Sequence, residues 1–377
     1  MEPFVHLHLH TQYSLLDGQT SIDSLLDKAI KDGMPAIAVT DHGNMFGIKE
    51  FYNKVKKKNS KGQVIKPIIG CECYCARNGR HKKAIKEDLS GWHLIVLAKN
   101  LKGYKNLIKM VSISWTEGFY GRPRIDKELL EKYHEGLIIS SACLGGEVPQ
   151  HIMKGRIEEA EKSIMWFKNL FGDDFYLEMQ RHETHAANAD QTTFVKQQEV
   201  NKVLIELAHK LDVKLIATND VHFANEEDAE AHDRLICLST GKDLDDPTRM
   251  MYSKQEWMKS TAEMNTIFAD IPEALRNTLE IADKVEFYSI DNDPLMPDFP
   301  LPEGFDDEDE YLRHLTYEGA KRKYKEPLSE EVIERLDFEL GTVKGMGFPG
   351  YFLIVQDFIR AAKEMGVSVG PGRGSAA

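Results

Sequence analysis

Short β-rich runs alternate with amphipathic helical segments along most of the chain, and this alternation restricts the available folds more than any other feature. Turn residues or segments with helical periodicity separate the runs. Repeated alternation of this kind is typical of a parallel sheet covered by helices. The predicted strands are 3–10, 36–40, 65–73, 93–98, 136–141, 174–179 and 213–218.

The helical segments each carry one apolar face. Segment 21–33 begins with Ser21, a suitable N-cap, and repeats apolar residues at helical spacing. Segment 156–172 shows the same pattern and ends at Gly172. Seven strand–helix units without an evident break predict an α/β fold, a closed seven-stranded (β/α) barrel related to the eight-stranded TIM barrel. A doubly wound open sheet is the alternative architecture.

The composition changes after about residue 285. Segment 291–310 contains four prolines and an acidic run at 306–310, which is typical of a linker. We therefore predict a first domain over 1–285 and a second region over 286–377, which begins with this linker and continues as helices. The second region ends in the glycine-rich sequence GPGRGSAA.

Cysteine count, hydropathy and charge limit the compartment and the partners. The five cysteines are an odd number without the spacing of a disulfide framework, which favours a reducing compartment. No apolar run approaches the roughly 20 residues that span a bilayer, and the N-terminus does not resemble a signal peptide, so we expect a cytoplasmic protein without membrane contact. The net charge of −13 argues against nucleic acid binding through bulk charge. Any such contact must be local, and the densest basic stretch runs from Lys54 to Lys83.

Candidate metal ligands stand where predicted strands end. In a parallel barrel the carboxyl ends of all strands converge on one mouth, so residues distant in sequence meet there. Alternate residues of a strand lie about 6.6 Å apart, so His8 and His10 can reach a shared cluster of ions, whereas His6 is assigned a packing role. The other candidates at strand ends are Asp41, His42, Glu72, Cys143, Asp220 and His222.

A mixed set of imidazole, carboxylate and thiol ligands suits zinc, manganese or iron. Carboxylates in such a set can bridge neighbouring ions. Within CECYC, strand parity separates Glu72 from Cys71, Cys73 and Cys75. These three thiols could form a zinc knuckle, but buried small side chains are the preferred interpretation.

Several motifs carry a family resemblance. HLHTQYSLLDG, TDHG, CEC, HLIVLAKN, SACLGGE and NDVHF resemble successive motifs of the polymerase and histidinol phosphatase (PHP) family. More closely, the whole chain resembles the N-terminal part of the bacterial replicative polymerase family, the DNA polymerase III alpha subunits. The segment from LDFELGTVKGMG to GPGRGSAA resembles the start of their palm, which would be truncated here.

The resemblance implies a PHP-type barrel with two or three divalent metal ions. The implied ligands are His8, His10, Asp17, His42, Glu72, His93, Cys143, Asp220 and His222. Asp17 would reach the ions from a loop beyond the first strand. His93 begins its predicted strand, which in an all-parallel barrel is the end opposite the mouth.

Further residues are assigned supporting roles. Glu178 is either a carboxylate that orients a ligating histidine or part of a structural network. Arg122 and Arg124 either hold a phosphate or form an exposed arginine turn. The palm resemblance implies that Gly372, Arg373, Gly374 and Ser375 help to bind a nucleoside triphosphate.

The implied chemistry is metal-dependent phosphoester hydrolysis, which this family links to 3′–5′ exonuclease proofreading. A metal-activated water would attack near Asp220 and His222, and no catalytic side chain is assigned. The whole polymerase would use DNA and magnesium, and would bind a proofreading exonuclease subunit and, through its C-terminal part, a sliding clamp. The fragment alone is not expected to polymerise. One alternative is a structural PHP scaffold that docks a separate exonuclease. A free-standing histidinol-phosphatase-like phosphoesterase is another, against which the palm-like segment argues.

Overall fold

The chain forms two compact units, Met1–Ile290 and Asp291–Ala377. The computed structural model describes residues 2–186, 188–293, 295–324 and 326–372. The two units are defined by their compactness alone. The functional domains predicted from the sequence, 1–285 and 286–377, therefore remain a prediction.

The first unit is built on a curled, mixed sheet of seven strands with the order β1-β2-β3-β5-β6-β7, and β4 pairs with β2. The strands are β1 (Ala36–Val39), β2 (Lys66–Cys75), β3 (Trp92–Ala98), β4 (Arg124–Ile125), β5 (Leu137–Ser140), β6 (Phe175–Met179) and β7 (Lys214–Ala217). The predicted α/β barrel class is confirmed. The short strand β4 was not predicted.

The predicted first strand, 3–10, is not a regular strand. Two backbone hydrogen bonds join it to its neighbour on each side; for example, His6 O accepts from Ala38 N, and His10 N donates to Val221 O. It therefore lies between β1 and the residues after β7. Leu9 N donates instead to the hydroxyl of Thr40, which interrupts a regular ladder.

Strand β3 corrects the expectation of an all-parallel sheet. It runs antiparallel to both β2 and β5, whereas β1–β2, β5–β6 and β6–β7 are parallel pairs. A parallel return needs a crossover, usually an α-helix. The described link between β2 and β3 contains only the 3₁₀ turn Lys86–Leu89, so the chain returns in the opposite direction.

The helices of the first unit cover the sheet with their apolar faces. Ser21 caps α1 as predicted, since its side chain accepts from Ser24 N, and α6 ends at Gly172. The helices are α1 (Ile22–Lys31), α2 (Ile48–Asn59), α3 (Leu101–Thr116), α4 (Lys127–Tyr133), α5 (Glu147–Met153), α6 (Ile157–Phe171), α7 (Thr192–Leu211), α8 (Ala229–Thr240), α9 (Thr261–Ile267) and α10 (Pro272–Lys284).

The cysteines of CECYC belong to the hydrophobic core. Cys71, Cys73 and Cys75 are buried among apolar side chains on the face of β2 opposite Glu72. The preferred interpretation of buried thiols is confirmed.

The second unit contains three described helices, α11 (Glu308–Lys323), α12 (Glu330–Gly345) and α13 (Pro349–Glu364). Its small core is formed by Leu312, Leu340 and Leu353. Among the described residues of the whole chain, no helix is both long enough and apolar enough to cross a membrane.

Candidate metal centre

A cavity of about 690 Å³ opens at the end of the barrel where β1 and the parallel strands β5–β7 finish. Its wall includes six of the nine implied ligands. They are Asp17, His42, His93, Cys143, Asp220 and His222. The other three, His8, His10 and Glu72, are fully buried in contact with them.

The potential ligand atoms form three overlapping groups, and within each group all atoms lie within 4.8 Å of one another. The groups are His8, His10, Glu72 and Asp220; His10, His42 and His222; and Glu72, His93 and Cys143. His10 and Glu72 each belong to two groups, so they stand where neighbouring ions would share ligands. Asp17 joins the cluster through its Oδ2, which lies 2.9 Å from Nε2 of His42.

The surroundings of the buried ligand atoms test whether these residues fit metal ions. Six of these atoms have no hydrogen-bond partner of suitable geometry among the described residues: Nε2 of His8, His10 and His222, Nδ1 of His42, Oε2 of Glu72 and Oδ1 of Asp220. Most of them instead lie close to one another, as Nδ1 of His42 does at 2.7 Å from Oε2 of Glu72. Burying unpaired polar atoms is costly. Lone pairs of nitrogen and oxygen that converge in this way suit divalent cations, so the residues fit a metal cluster.

Neighbouring groups fix the imidazoles from behind. Nδ1 of His8 lies 2.6 Å from Glu178 Oε1, and Nδ1 of His10 lies 2.9 Å from Ser14 Oγ. Glu178 also accepts from the hydroxyls of Ser140 and Thr218. In both histidines Nε2 is therefore left to face the cluster, the arrangement usual for metal-binding imidazoles.

The chain direction of β3 explains the position of His93. Because β3 is antiparallel to β2, His93 at its beginning pairs with Tyr74, near the end of β2. Nδ1 of His93 lies 2.7 Å from Glu72 Oε1 and 3.5 Å from Sγ of Cys143. The reversed direction of β3 therefore places His93 at the cavity, where a parallel strand would not have placed it.

Strained backbone positions three of the loops that carry implied ligands. Asp220 itself has φ of 46°, and Ala142, directly before Cys143, has φ of 58°. Leu16, directly before Asp17, has φ of 59°. Side chains other than glycine rarely adopt this left-handed region, and such strain clusters at functional sites. Asp41 supports the 11–14 loop, since it accepts from Thr11 and Ser14.

The electrostatics of the cluster favour cations. Burial by itself raises the pKa of Glu72, but His93, His42 and His8 hold that pKa well below its usual range. Burial by itself lowers the pKa of His8, but Asp220, Glu178 and Glu72 raise it well above its usual range. The carboxylates therefore remain ionised and create a negative potential that suits bound cations.

The two arginines assigned to phosphate binding differ. Arg122 is exposed, lines the cavity and lies with Cζ 5.7 Å from the Tyr74 ring centroid. Arg124 is fully buried and donates to the carbonyls of Gly118, Lys82, Asp88 and Arg80. Its assignment to a phosphate is corrected, because these backbone acceptors occupy its guanidinium.

The structure describes only one of the four residues that the palm resemblance assigns to nucleotide binding. Gly372 is exposed and lies outside any helix or strand. Arg373, Gly374 and Ser375 lie outside the described residues.

Sequence reasoning missed part of the cavity wall. Tyr252 donates its hydroxyl to Asp17 Oδ1 at 3.0 Å, and Arg249 and Glu256 also line the cavity. Arg249 pairs with Asp233. These residues come from the mostly irregular segment 241–260, which carries no motif, so no local signal indicated them.

The comparisons with known proteins agree with this architecture. Residues 6–182 match the PHP domain model, and residues 310–377 match the model of the bacterial DNA polymerase III alpha NTPase domain. The barrel with its histidine-rich mouth is therefore a PHP domain, followed by the start of a polymerase NTPase region.

Curated relatives define the particular protein more closely. The DNA polymerase III subunit alpha of Borreliella burgdorferi is 48% identical over 99% of this chain and 32% of the relative. Those of Treponema pallidum and Campylobacter jejuni are 42% and 40% identical, over 99% and 100% of this chain and 31% and 33% of the relatives. The chain spans about a third of the length of these relatives. It is homologous to the N-terminal third of bacterial DNA polymerase III alpha subunits.

Proposed function

We propose that the PHP domain holds two or three divalent ions, zinc, manganese or iron, with the nine implied ligands and hydrolyses phosphoester bonds. The observation that carries this proposal is the set of three overlapping ligand groups that share His10 and Glu72. Ions in such a set would supply a nucleophilic water at neutral pH and stabilise charge on phosphoryl oxygens.

The side chains have separate tasks in this proposal. Glu178 orients His8 through its Nδ1. Arg122, exposed in the cavity wall, binds a phosphate oxygen. Cys143 is a ligand and not the nucleophile, because its Sγ belongs to the ligand group with Glu72 and His93 and lies 3.5 Å from Nδ1 of His93, whereas the nucleophile in this proposal is water.

In the context of its homologues, we assign this hydrolysis to 3′–5′ exonuclease proofreading. The whole protein would be a replicative DNA polymerase that uses magnesium and acts on DNA with other replicative subunits, among them a proofreading exonuclease and a sliding clamp. The NTPase-region match at 310–377 supports this context over a free-standing small-molecule phosphatase.

The test is release of a 3′ label from single-stranded DNA in manganese, zinc or chelator. We expect wild type and Asp283→Asn to release label in the presence of metal, because Asp283 is exposed on α10 outside the cavity. Asp220→Asn should lose this activity, since it removes a charged ligand from the cluster.

Equal release by wild type and Asp220→Asn would indicate a contaminating nuclease and remove support for hydrolysis. If metal-loaded wild type cleaves neither DNA nor small phosphate esters, the proposal is wrong. The metal cluster would then be a structural element of a scaffold that docks a separate exonuclease.

A further inference from the structure

Three exposed aromatic side chains lie side by side next to the metal cavity. The ring centroids of Phe46 and Trp115 are 6.2 Å apart, and those of Trp115 and Phe119 are 5.5 Å apart with planes inclined by 17°. Their relative exposures are 59%, 42% and 46%. Contiguous exposed apolar groups of this kind mark binding surfaces. We call these three residues the aromatic platform.

A single loop joins the aromatic platform to the metal centre. The indole N–H of Trp115 donates to the carbonyl of Gly43 at 2.8 Å, and Gly43 directly follows His42. On its other side Gly43 is packed closely, since a Cβ there would lie 2.7 Å from Pro123 and 3.2 Å from the Tyr74 ring. The platform is therefore held at a fixed place on the rim of the cavity.

Positive charge lies beside the platform. Arg122, next to Pro123, pairs with no carboxylate among the described residues. The loop 80–89 packs against the same segment, because Arg124 donates to the carbonyls of Arg80, Lys82 and Asp88. This loop carries three exposed lysines that likewise have no acidic partner in the described chain. They are Lys82, Lys83 and Lys86.

Two lysines at the other end of the predicted basic stretch pair with acidic residues. Lys54 pairs with Asp23 at 2.7 Å, and Lys58 pairs with Asp27, both on α1. Although the chain has a net charge of −13, Arg122 and the three loop lysines provide a local positive charge that can attract anions.

We infer that the aromatic platform stacks the bases of a single-stranded nucleic acid whose terminal phosphodiester enters the metal cavity. Arg122 and the loop lysines would contact its phosphates. Aromatic faces beside unpaired cations are the combination that binds single strands, and bases inside a duplex are not free to stack on a protein. This inference rests on the proposed function for the fate of the strand, but binding to the platform requires no hydrolysis.

The test is binding of a fluorescein-labelled oligothymidylate of about eight nucleotides in chelator, measured by anisotropy. We expect Phe46→Ala and Phe119→Ala each to weaken binding about tenfold, and the double variant about a hundredfold. Trp115→Phe should keep affinity within a few fold because it keeps a ring, but should lose the tryptophan quenching that a stacked base causes.

The matched control is Phe287→Ala, which truncates an aromatic ring that is 74% exposed and lies near Pro67, at the opposite end of β2 from the cavity. It should bind the oligonucleotide like wild type. Wild-type affinity in the Phe46→Ala/Phe119→Ala variant would overturn the inference and leave the platform as a surface for a protein partner.

The binding inference and the proposed hydrolysis can be rejected independently of each other. Platform-dependent binding by a protein that cleaves no phosphoester would support this inference and reject the proposed hydrolysis. Platform-independent binding by a protein that does cleave would reject the inference and leave hydrolysis standing.

Discussion

Three histidines at alternate positions near the N-terminus have different surroundings. Nε2 of His6 bonds to the carbonyl of Lys259 at 2.8 Å, away from the metal cluster. Nε2 of His8 lies 3.0 Å from Asp220 Oδ1, and Nε2 of His10 lies 3.1 Å from Glu72 Oε2. Strand parity predicted that all three side chains share one face. His6 is farther along the chain from His10 than His8 is, and it packs away from the cluster that His8 and His10 join.

The two classes of histidine predict different responses to substitution. The double variant His8→Ala/His10→Ala should lose most of its bound metal. Its thermal midpoint should then be nearly the same with metal as with chelator, because a metal raises the midpoint only when the native state binds it. His6→Ala should be less stable but should keep its metal and a higher midpoint with metal than with chelator. Elemental analysis and calorimetry check both, and full metal content in the double variant would disprove the ligand assignment.

Lys259 predicts a pH dependence of stability. Burial lowers its pKa from 10.5 to about 8. The unfolded state therefore holds this proton between about pH 8 and 10.5 while the folded state has released it, so the free energy of unfolding rises with pH in this window. Below pH 8 the cost of keeping the buried ammonium charged is fully present, about 3 kcal/mol.

Lys259→Met should therefore be more stable than wild type at neutral pH. The expected gain is about 1–2 kcal/mol, because the loss of the bond to the Gln255 carbonyl offsets part of the cost. Urea unfolding at neutral pH and at a pH of about 10 should show this difference shrinking. A difference that grows with pH would contradict the burial of a charged lysine.

At the scale of elements, the reversed strand β3 decides the site. Alternation in the sequence was sufficient to predict six of the seven strands and the helices between them, because periodicity is a local signal. Strand direction was not predictable, because it depends on how a link without an α-helix packs. His93 shows the consequence, since it lies beside Glu72 at the cavity, whereas the assumed parallel geometry put it at the opposite end.

The tight turn between β5 and α5 yields an element-scale prediction. A Cβ at Gly146, the N-cap of α5, would lie 2.0 Å from the carbonyl oxygen of Ser141. Gly146→Ala must therefore shift the turn that carries Cys143, with an expected loss of about 1–3 kcal/mol and of part of the bound metal.

Gly341→Ala is the control for the same substitution. Gly341 lies inside α12 with no neighbouring atom within 4 Å of a Cβ, so alanine should raise helix stability by about 1 kcal/mol. Thermal unfolding followed by circular dichroism, together with metal content, compares the two variants. An unchanged midpoint in Gly146→Ala would show that the turn yields at little cost.

At the scale of the whole molecule, the sequence predicted the convergence of distant residues but not what surrounds them. The nine implied ligands could be named from the sequence because each belongs to a short motif, and in the structure their side chains lie together. The positions of Tyr252 and the aromatic platform beside the cavity were not predicted, because they depend on how segments distant in sequence pack together. Arg124 was misassigned for the same reason, since nothing local distinguishes a buried arginine from an exposed one.

Elemental analysis of protein purified without added metal tests the central claim most directly. We expect two or three transition-metal ions per wild-type chain, since three ligand groups overlap. Glu72→Gln should lose at least the ions whose ligand groups include Glu72, because a neutral amide would replace a carboxylate that belongs to two of the groups. Less than one ion per wild-type chain, even after incubation with zinc or manganese, would contradict a multinuclear metal centre.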